Sequence, residues 1–227
     1  MQKLRTYIII FFIILGSFSR AATPNQLSME NAAFLSGIYN NSWALVIGIN
    51  DYTTMPPLQY AVNDAMSVKQ MLHETYGFQE DQILMVLNEE ATRQNILDQF
   101  NELLNKAKED DRVIIFYAGH GETQPLPSGG DRGYLIPVDG DPNNLWRTCI
   151  AMDDIYDIAS LSYAKHILYL VDACYGGLAI RGTRGLTKSI PNYIQRIAKE
   201  RGRQIITAGG KDAVSYTHLT LPTICSV

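Results

Sequence analysis

Two side chains in this sequence stand where nucleophilic chemistry could be built. His120 comes just after the apolar run Arg112-Val-Ile-Ile-Phe-Tyr117, and Cys174 just after the run His166-Ile-Leu-Tyr-Leu-Val-Asp172. Each has glycine beside it: Gly119 and Gly121 flank the histidine, and Gly176 and Gly177 follow the cysteine. A thiol attacks efficiently only as thiolate, and a free cysteine has a pKa of about 8.5. An imidazole, with a pKa near about 6.5, is its natural base. Gly121 permits close backbone approach, so the N–H groups of Gly121 and Cys174 are candidates for an oxyanion hole. Either residue alone says little, since a lone histidine is usually a hydrogen-bonded loop residue and a lone cysteine usually core. Their order, each at the end of a buried-type strand, makes them a pair.

The elements that would position them alternate between β-branched runs and amphipathic segments, which predicts βα units and a largely parallel sheet. Trp43 to Ile49 is a near-continuous apolar run, as expected of a strand covered on both faces. Ala61 to Tyr76 carries Ala61, Ala65, Val68, Met71 and Leu72 at helical spacing, with Gly77 placed to end the helix. Ile83 to Leu87 reads as a strand and Thr92 to Lys108 as a helix with Ile96, Leu97, Phe100, Leu103 and Leu104 on one stripe. Arg112 to Tyr117 is the third strand. Gln124 to Arg132 reads as a Pro/Gly-rich loop, Tyr134 to Val138 as a short extended piece and Met152 to Ser160 as a helix. His166 to Asp172 is the fourth long strand. A loop to Pro191, a helix around Tyr193 to Arg201 and a strand from Gln204 to Ala208 complete the pattern. In open α/β sheets ligands sit beyond the carboxyl ends of the strands, which is where His120 and Cys174 fall.

The chain has 227 residues, 46% apolar and 19% charged, enough for one domain with a sizeable core. A net charge of −4 gives no electrostatic case for nucleic acid. Lys3 and Arg5 precede an apolar stretch from Tyr7 to Phe18 and the small residues Ser17, Ser19, Ala21 and Ala22, the three-part pattern of a secretory signal over residues 1–22. The stretch is shorter than the roughly 20 residues a spanning helix needs. The expectation is an exported protein, periplasmic or secreted, with no membrane segment after signal removal. Residues 23–41 read as a polar leader and 42–213 as the domain. Val214 to Thr223 back-translates into ten codons resembling the transposase adapter of sequencing libraries. On that reading residues 214–227 are foreign, His218 and Cys225 carry no functional weight, and native sequence continues past Ala213. Three cysteines, Cys149, Cys174 and Cys225, make no disulfide framework, and Cys149 reads as structural. His73 and His166 read as surface or packing residues.

Four ordered motifs between Trp43 and Asp212 carry a resemblance. Phe116-Tyr-Ala-Gly-His-Gly121 resembles the histidine block of metacaspases, and Asp172-Ala-Cys-Tyr-Gly-Gly177 resembles their cysteine block. Asn63-Asp64-Ala65 is similar to their Asn-Asp-Ala motif, and Tyr134-Leu-Ile-Pro-Val-Asp139 to the segment between the blocks. The resemblance implies the caspase–haemoglobinase fold, a three-layer α/β/α sandwich around a mostly parallel sheet. It implies a cysteine endopeptidase acting on proteins or peptides through a His120–Cys174 dyad with no necessary third catalytic residue. By position, Asp64 and Asp172 would line the primary specificity pocket, and Ala61 and Ala118 stand where some relatives place cysteine and serine. Two carboxylates in a partly enclosed pocket favour a cationic side chain, so cleavage after arginine or lysine is expected. The bland alternative is that Asp64 decorates a helix start and Asp172 caps a turn.

No cofactor is expected to be required. Calcium is a weak candidate: Asp131, Asp153 and Asp154 lie near segments where some metacaspases bind it. The family's further carboxylate after the cysteine block is not evident, Ile180 and Arg181 standing near there. Gly176 to Ser189 reads as an exposed loop holding Arg181, Arg184 and Lys188, which a basic-specific enzyme could cut in itself. Three competing readings are a caspase-fold hydrolase with another side-chain preference, a catalytically silent caspase-like scaffold and a flavodoxin-like nucleotide binder. The presence of both His120 and Cys174 opposes the scaffold. The sparse Gly48-Ile-Asn-Asp51, with no phosphate-cradling glycines, opposes the nucleotide binder.

Overall fold

The strand β1 (Ser42–Gly48) is apolar on both faces and buried along most of its length, and it lies next to the centre of the sheet. The computed structural model describes residues 38–173 and 201–207. The other elements are α1 (Ala61–Tyr76), β2 (Ile83–Leu87), α2 (Arg93–Lys106), β3 (Arg112–Ala118), β4 (Gly121–Pro125), β5 (Asp131–Leu135), the single turn α3 (Leu145–Thr148), β6 (Ile150–Ala151), α4 (Met152–Ser160), β7 (His166–Asp172) and β8 (Gly202–Thr207). Among the described residues the main sheet has five strands in the order β2-β1-β3-β7-β8, all parallel. A second, three-stranded sheet has the order β4-β5-β6 and is antiparallel.

Side-chain alternation along the strands divides the core into two layers. Ala44, Val46, Ile114, Phe116, Leu168 and Leu170 pack with Ala65, Val68 and Leu72 of α1. Leu45, Ile47, Ile115, Tyr117, Tyr169 and Val171 pack with Ile96 and Phe100 of α2 and Ile155 of α4. Helices therefore cover both faces, the three-layer arrangement expected. Gly48 is where α1 comes closest: a Cβ there would lie 2.7 Å from both the Ala61 carbonyl oxygen and the Ala65 Cβ.

Helix boundaries follow local chemistry. Thr92 caps α2 by accepting the Asn95 N–H at 3.2 Å. Gly77, at φ 72°, ends α1 in the left-handed conformation. The expected loop over 124–132 narrows to residues 126–130 at the tip of a hairpin: β4 and β5 pair from Gly121↔Leu135 to Pro125↔Asp131, and Gly129 and Gly130 turn at positive φ. Polar, turn-rich composition masked these strands because the hairpin is largely exposed and has little hydrophobic alternation.

The leader's last residues belong to the domain. The Tyr39 hydroxyl is hydrogen-bonded with His166 Nδ1 at 2.6 Å, and the Asn41 N–H donates to the buried Asp111 carboxylate at 2.9 Å. The signal (1–22), most of the leader, Cys174 with Gly176 and Gly177, the loop bearing Arg181, Arg184 and Lys188, the helix expected to begin at Tyr193, and the tail 214–227 with His218 and Cys225 lie outside the described residues. No described helix is long and apolar enough to cross a membrane.

Candidate active site

The sheet order places a topological switch point between β1 and β3, because the chain leaves β1 towards β2 and returns past it to β3. A crevice forms at the carboxyl ends of strands around such a point. Three segments emerge there: the loop 49–60 after β1, Gly119-His120-Gly121 after β3, and Ala173 after β7. Ala118 and Asp172 are register partners, and Gly119 N–H donates to the Asp172 carbonyl at 3.2 Å. His120 and Cys174 are thus each two residues beyond paired positions on adjacent parallel strands.

His120 is held by groups that sequence reasoning did not single out. Its backbone N–H donates to the Tyr52 hydroxyl at 2.7 Å, and its imidazole meets the Tyr52 ring at 4.7 Å between centroids. Its Nε2 lies 2.8 Å from the Pro56 carbonyl oxygen. A carbonyl only accepts, so Nε2 carries the proton and Nδ1 of the neutral ring is left as acceptor. The histidine carbonyl accepts from the Ile136 N–H at 3.0 Å and from the Tyr117 hydroxyl at 2.8 Å. Gly119 must be glycine for space, since a Cβ there would sit 2.5 Å from the Tyr52 hydroxyl and 2.7 Å from that of Tyr117. The signal for Tyr52 and Pro56 was too faint to find in one sequence: an aromatic and a proline in a loop after a strand are common.

The loop carrying both grips is itself pinned. Asn88, at φ 41°, turns its side-chain oxygen to accept the Asn50 N–H at 2.9 Å. Thr53 N–H and hydroxyl both donate to the Val138 carbonyl, at 3.2 and 2.8 Å, and the Thr54 hydroxyl donates to the Gly140 carbonyl.

Gly121 opens β4 opposite Leu135. The Ile136 N–H bonds the His120 carbonyl, so Gly121 and Leu135 form a non-hydrogen-bonded pair of the ladder. The Gly121 N–H therefore points away from β5.

Asp172 and Asp64 lie near enough that the charge of one acts on the other. Burial, with the charge of Asp64 second, pushes the Asp172 carboxyl up from 3.8 to about 6. Burial also raises Asp64. Among the described residues no cation pairs with either carboxylate. Their like charges oppose ionisation of both carboxyls at once. Ala61 and Ala118 are buried beside them in the α1-side core.

The remaining candidates separate from the crevice. Cys149 is buried, its thiol directed at the Asp141 carbonyl, and burial raises its pKa. His73 bonds the Phe78 carbonyl at 2.9 Å, and His166 sits at the start of β7, at the far end of the sheet. Asp153 and Asp154 face a guanidinium: Arg132 approaches them at 3.6 and 3.0 Å, with its head over the rings of Tyr134 and Trp146. A cation built into the chain already meets these carboxylates. Among the described residues no group of three or more acidic, histidine or cysteine side chains is arranged to hold a metal.

Comparison with known proteins agrees with this geometry. A family model described as a caspase domain of peptidases matches residues 41–219. The chain is similar to metacaspase-1 of Schizosaccharomyces pombe, 33% identical over 183 residues, covering 73% of this chain and 41% of that protein. It is 31% identical to metacaspase-1 of Lodderomyces elongisporus, covering 88% of this chain and 47% of that one. The chain thus spans less than half the length of these curated relatives. A crystal structure of a protein from Geobacter sulfurreducens shares the fold, with a TM-score of 0.57 at 16% identity over 80% of this chain and 78% of that one.

Proposed function

From the premise that this chain belongs to the caspase-domain family of peptidases and is of metacaspase type, we propose that it is an exported cysteine endopeptidase cutting after arginine or lysine. The observation that carries the reading is the Ala118↔Asp172 register, which sets His120 and Cys174 at matched offsets beyond neighbouring strands. The Cys174 thiol gives its proton to Nδ1 of His120, the nitrogen that the Pro56 contact leaves as acceptor. The thiolate adds to the substrate carbonyl carbon, and the N–H groups of Gly121 and Cys174 receive the developing oxyanion. The C–N bond breaks as His120 returns the proton to the leaving amine. Water then hydrolyses the thioester and restores the thiol.

Asp64 and Asp172 supply the specificity. A guanidinium or ammonium entering between them relieves their mutual repulsion and offsets the penalty of burying them. Ala61 and Ala118 keep the pocket floor small. Arg181, Arg184 and Lys188 are then sites of self-cleavage, no metal is required, and the signal in residues 1–22 directs the protein to the periplasm or outside the cell.

The test is alkylation of the active protein with iodoacetamide and mapping by peptide mass spectrometry. Cys174 should react first, and His120→Ala should suppress that reaction. Fluorogenic peptides ending in arginine or lysine should turn over far better than one ending in aspartate. Preferential alkylation of Cys149, with Cys174→Ala still active, would sink the dyad. Equal turnover of the aspartate peptide would sink the pocket. A protein that neither cleaves nor shows a reactive Cys174 would be a scaffold.

A further inference from the structure

Behind His120 lies a polar knot that joins two of the recognisable motifs, through Tyr117 and Ile136, to Tyr52 and Pro56, which lie outside them. The Tyr52 hydroxyl receives the His120 N–H at 2.7 Å and is hydrogen-bonded with the Tyr117 hydroxyl. The Tyr117 hydroxyl reaches the carbonyls of His120 and Ile136, each at 2.8 Å. Burial pushes the Tyr52 phenol up to about 12, so it stays neutral at any working pH. Four residues further along the same loop, the Pro56 carbonyl takes the Nε2 side of the imidazole at 2.8 Å. The loop therefore grips His120 twice, on the backbone and on the ring, and the Tyr52 ring fills the space between at 4.7 Å.

We propose that Tyr52 is a positioning residue for His120: its phenol locks the backbone N–H and ring plane so that Nε2 stays on the Pro56 carbonyl and Nδ1 faces the nucleophile. The physical reason is geometric. His120 follows the last residue of β3 by two positions, so the sheet alone no longer fixes its φ and ψ. A hydrogen bond to its N–H and another to its carbonyl define both peptide planes. The ring contact then selects one side-chain orientation. Without the phenol, the N–H in this half-buried position lacks its acceptor, and the imidazole can swing off Pro56. A base misplaced by about 1 Å can lose about 100-fold in rate. Loss of one of the two grips should cost less.

This proposal rests on the peptidase reading for its kinetic consequence but not for its structural one, and the experiment separates the two. In ¹⁵N-labelled Cys174→Ala protein, the imidazole nitrogens of His120 report the tautomer directly, with His120→Gln assigning the signals. A single Nε2–H tautomer is expected above the histidine pKa, and Tyr52→Phe should convert it to a mixture. In the active protein, Tyr52→Phe should lower kcat about tenfold with KM within about twofold. Tyr39→Phe removes a comparable hydrogen bond at the far end of the sheet, where Tyr39 meets His166 at 2.6 Å, and should leave both readouts unchanged. The proposal is overturned if Tyr52→Phe keeps the single tautomer and full kcat. It is equally overturned if Tyr39→Phe reproduces the effect, which would mean general loosening. If the protein proves inactive, the tautomer alone decides whether Tyr52 holds His120, and the peptidase reading falls separately.

Discussion

Replacing Asp172 by asparagine should make the protein more stable at neutral pH while removing the preference for basic substrates. Asp172 ends β7 with its carboxyl largely buried, no cation partner among the described residues, and Asp64 adding a second negative charge. A carboxyl raised by folding binds its proton more tightly in the folded state than in the unfolded one. Its favourable contribution is complete below the unfolded pKa and is lost as pH rises through the folded value. The window runs from 3.8 to about 6. That rise, at about 1.4 kcal/mol per pH unit, sets a penalty of about 3 kcal/mol at pH 7 as an upper estimate. Asparagine is nearly isosteric and never ionises, so Asp172→Asn escapes the penalty. Urea unfolding, in a Cys174→Ala background to prevent self-cleavage, should show the two proteins nearly equal near pH 4. The variant should gain as pH rises to 7.5, by up to about 3 kcal/mol, or about 6–12 °C in Tm for a domain of this size. In the proposed pocket the sense is opposite: binding a basic side chain would favour the ionised carboxyl, so KM for arginine peptides should rise as pH falls through about 6. A stability difference that does not change with pH, or an asparagine variant weaker at pH 7.5, would refute the reasoning.

Three other outcomes are expected. Gly48→Ala forces a Cβ to within 2.7 Å of the α1 backbone, and should lower unfolding free energy by about 1–3 kcal/mol in urea titration; an unchanged midpoint would mean α1 moves freely. Millimolar calcium should change neither Tm nor turnover, because Arg132 already meets Asp153 and Asp154 at 3.6 and 3.0 Å; a calcium-dependent rise in either would show that the guanidinium yields its place. Intact-mass analysis of the active protein should show cleavage after Arg181, Arg184 or Lys188 that is absent from Cys174→Ala, whereas cleavage persisting in that variant would point to a contaminating protease.

Strand and helix identities were legible because each core residue obeys one local rule. Continuous apolar runs gave β1, β3 and β7, and 3.6-residue spacing gave α1 and α2, since burial on both faces or on one stripe leaves a one-dimensional trace. His120 and Cys174 stand out in the sequence for a related reason: a reactive side chain beside glycine at a strand end is a pattern of neighbours in sequence. The β4–β5 hairpin escaped because its stability comes from backbone pairing and turn geometry at Gly129 and Gly130 rather than from hydrophobic spacing. Tyr52 and Pro56 escaped because their partner is 68 and 64 residues away in the chain. Likewise nothing in the local sequence around Asp153 and Asp154 announces that Arg132 will face them. Local sequence was enough for the long strands and helices and for the side chains that are candidates to react. Tertiary structure alone decided strand order, the β3–β7 register that brings the two blocks side by side, and the contacts that choose the protonated nitrogen of His120 and raise the pKa of Asp172. Those outcomes depend on distances and burial between segments far apart in the chain, and local propensity carries no information about either.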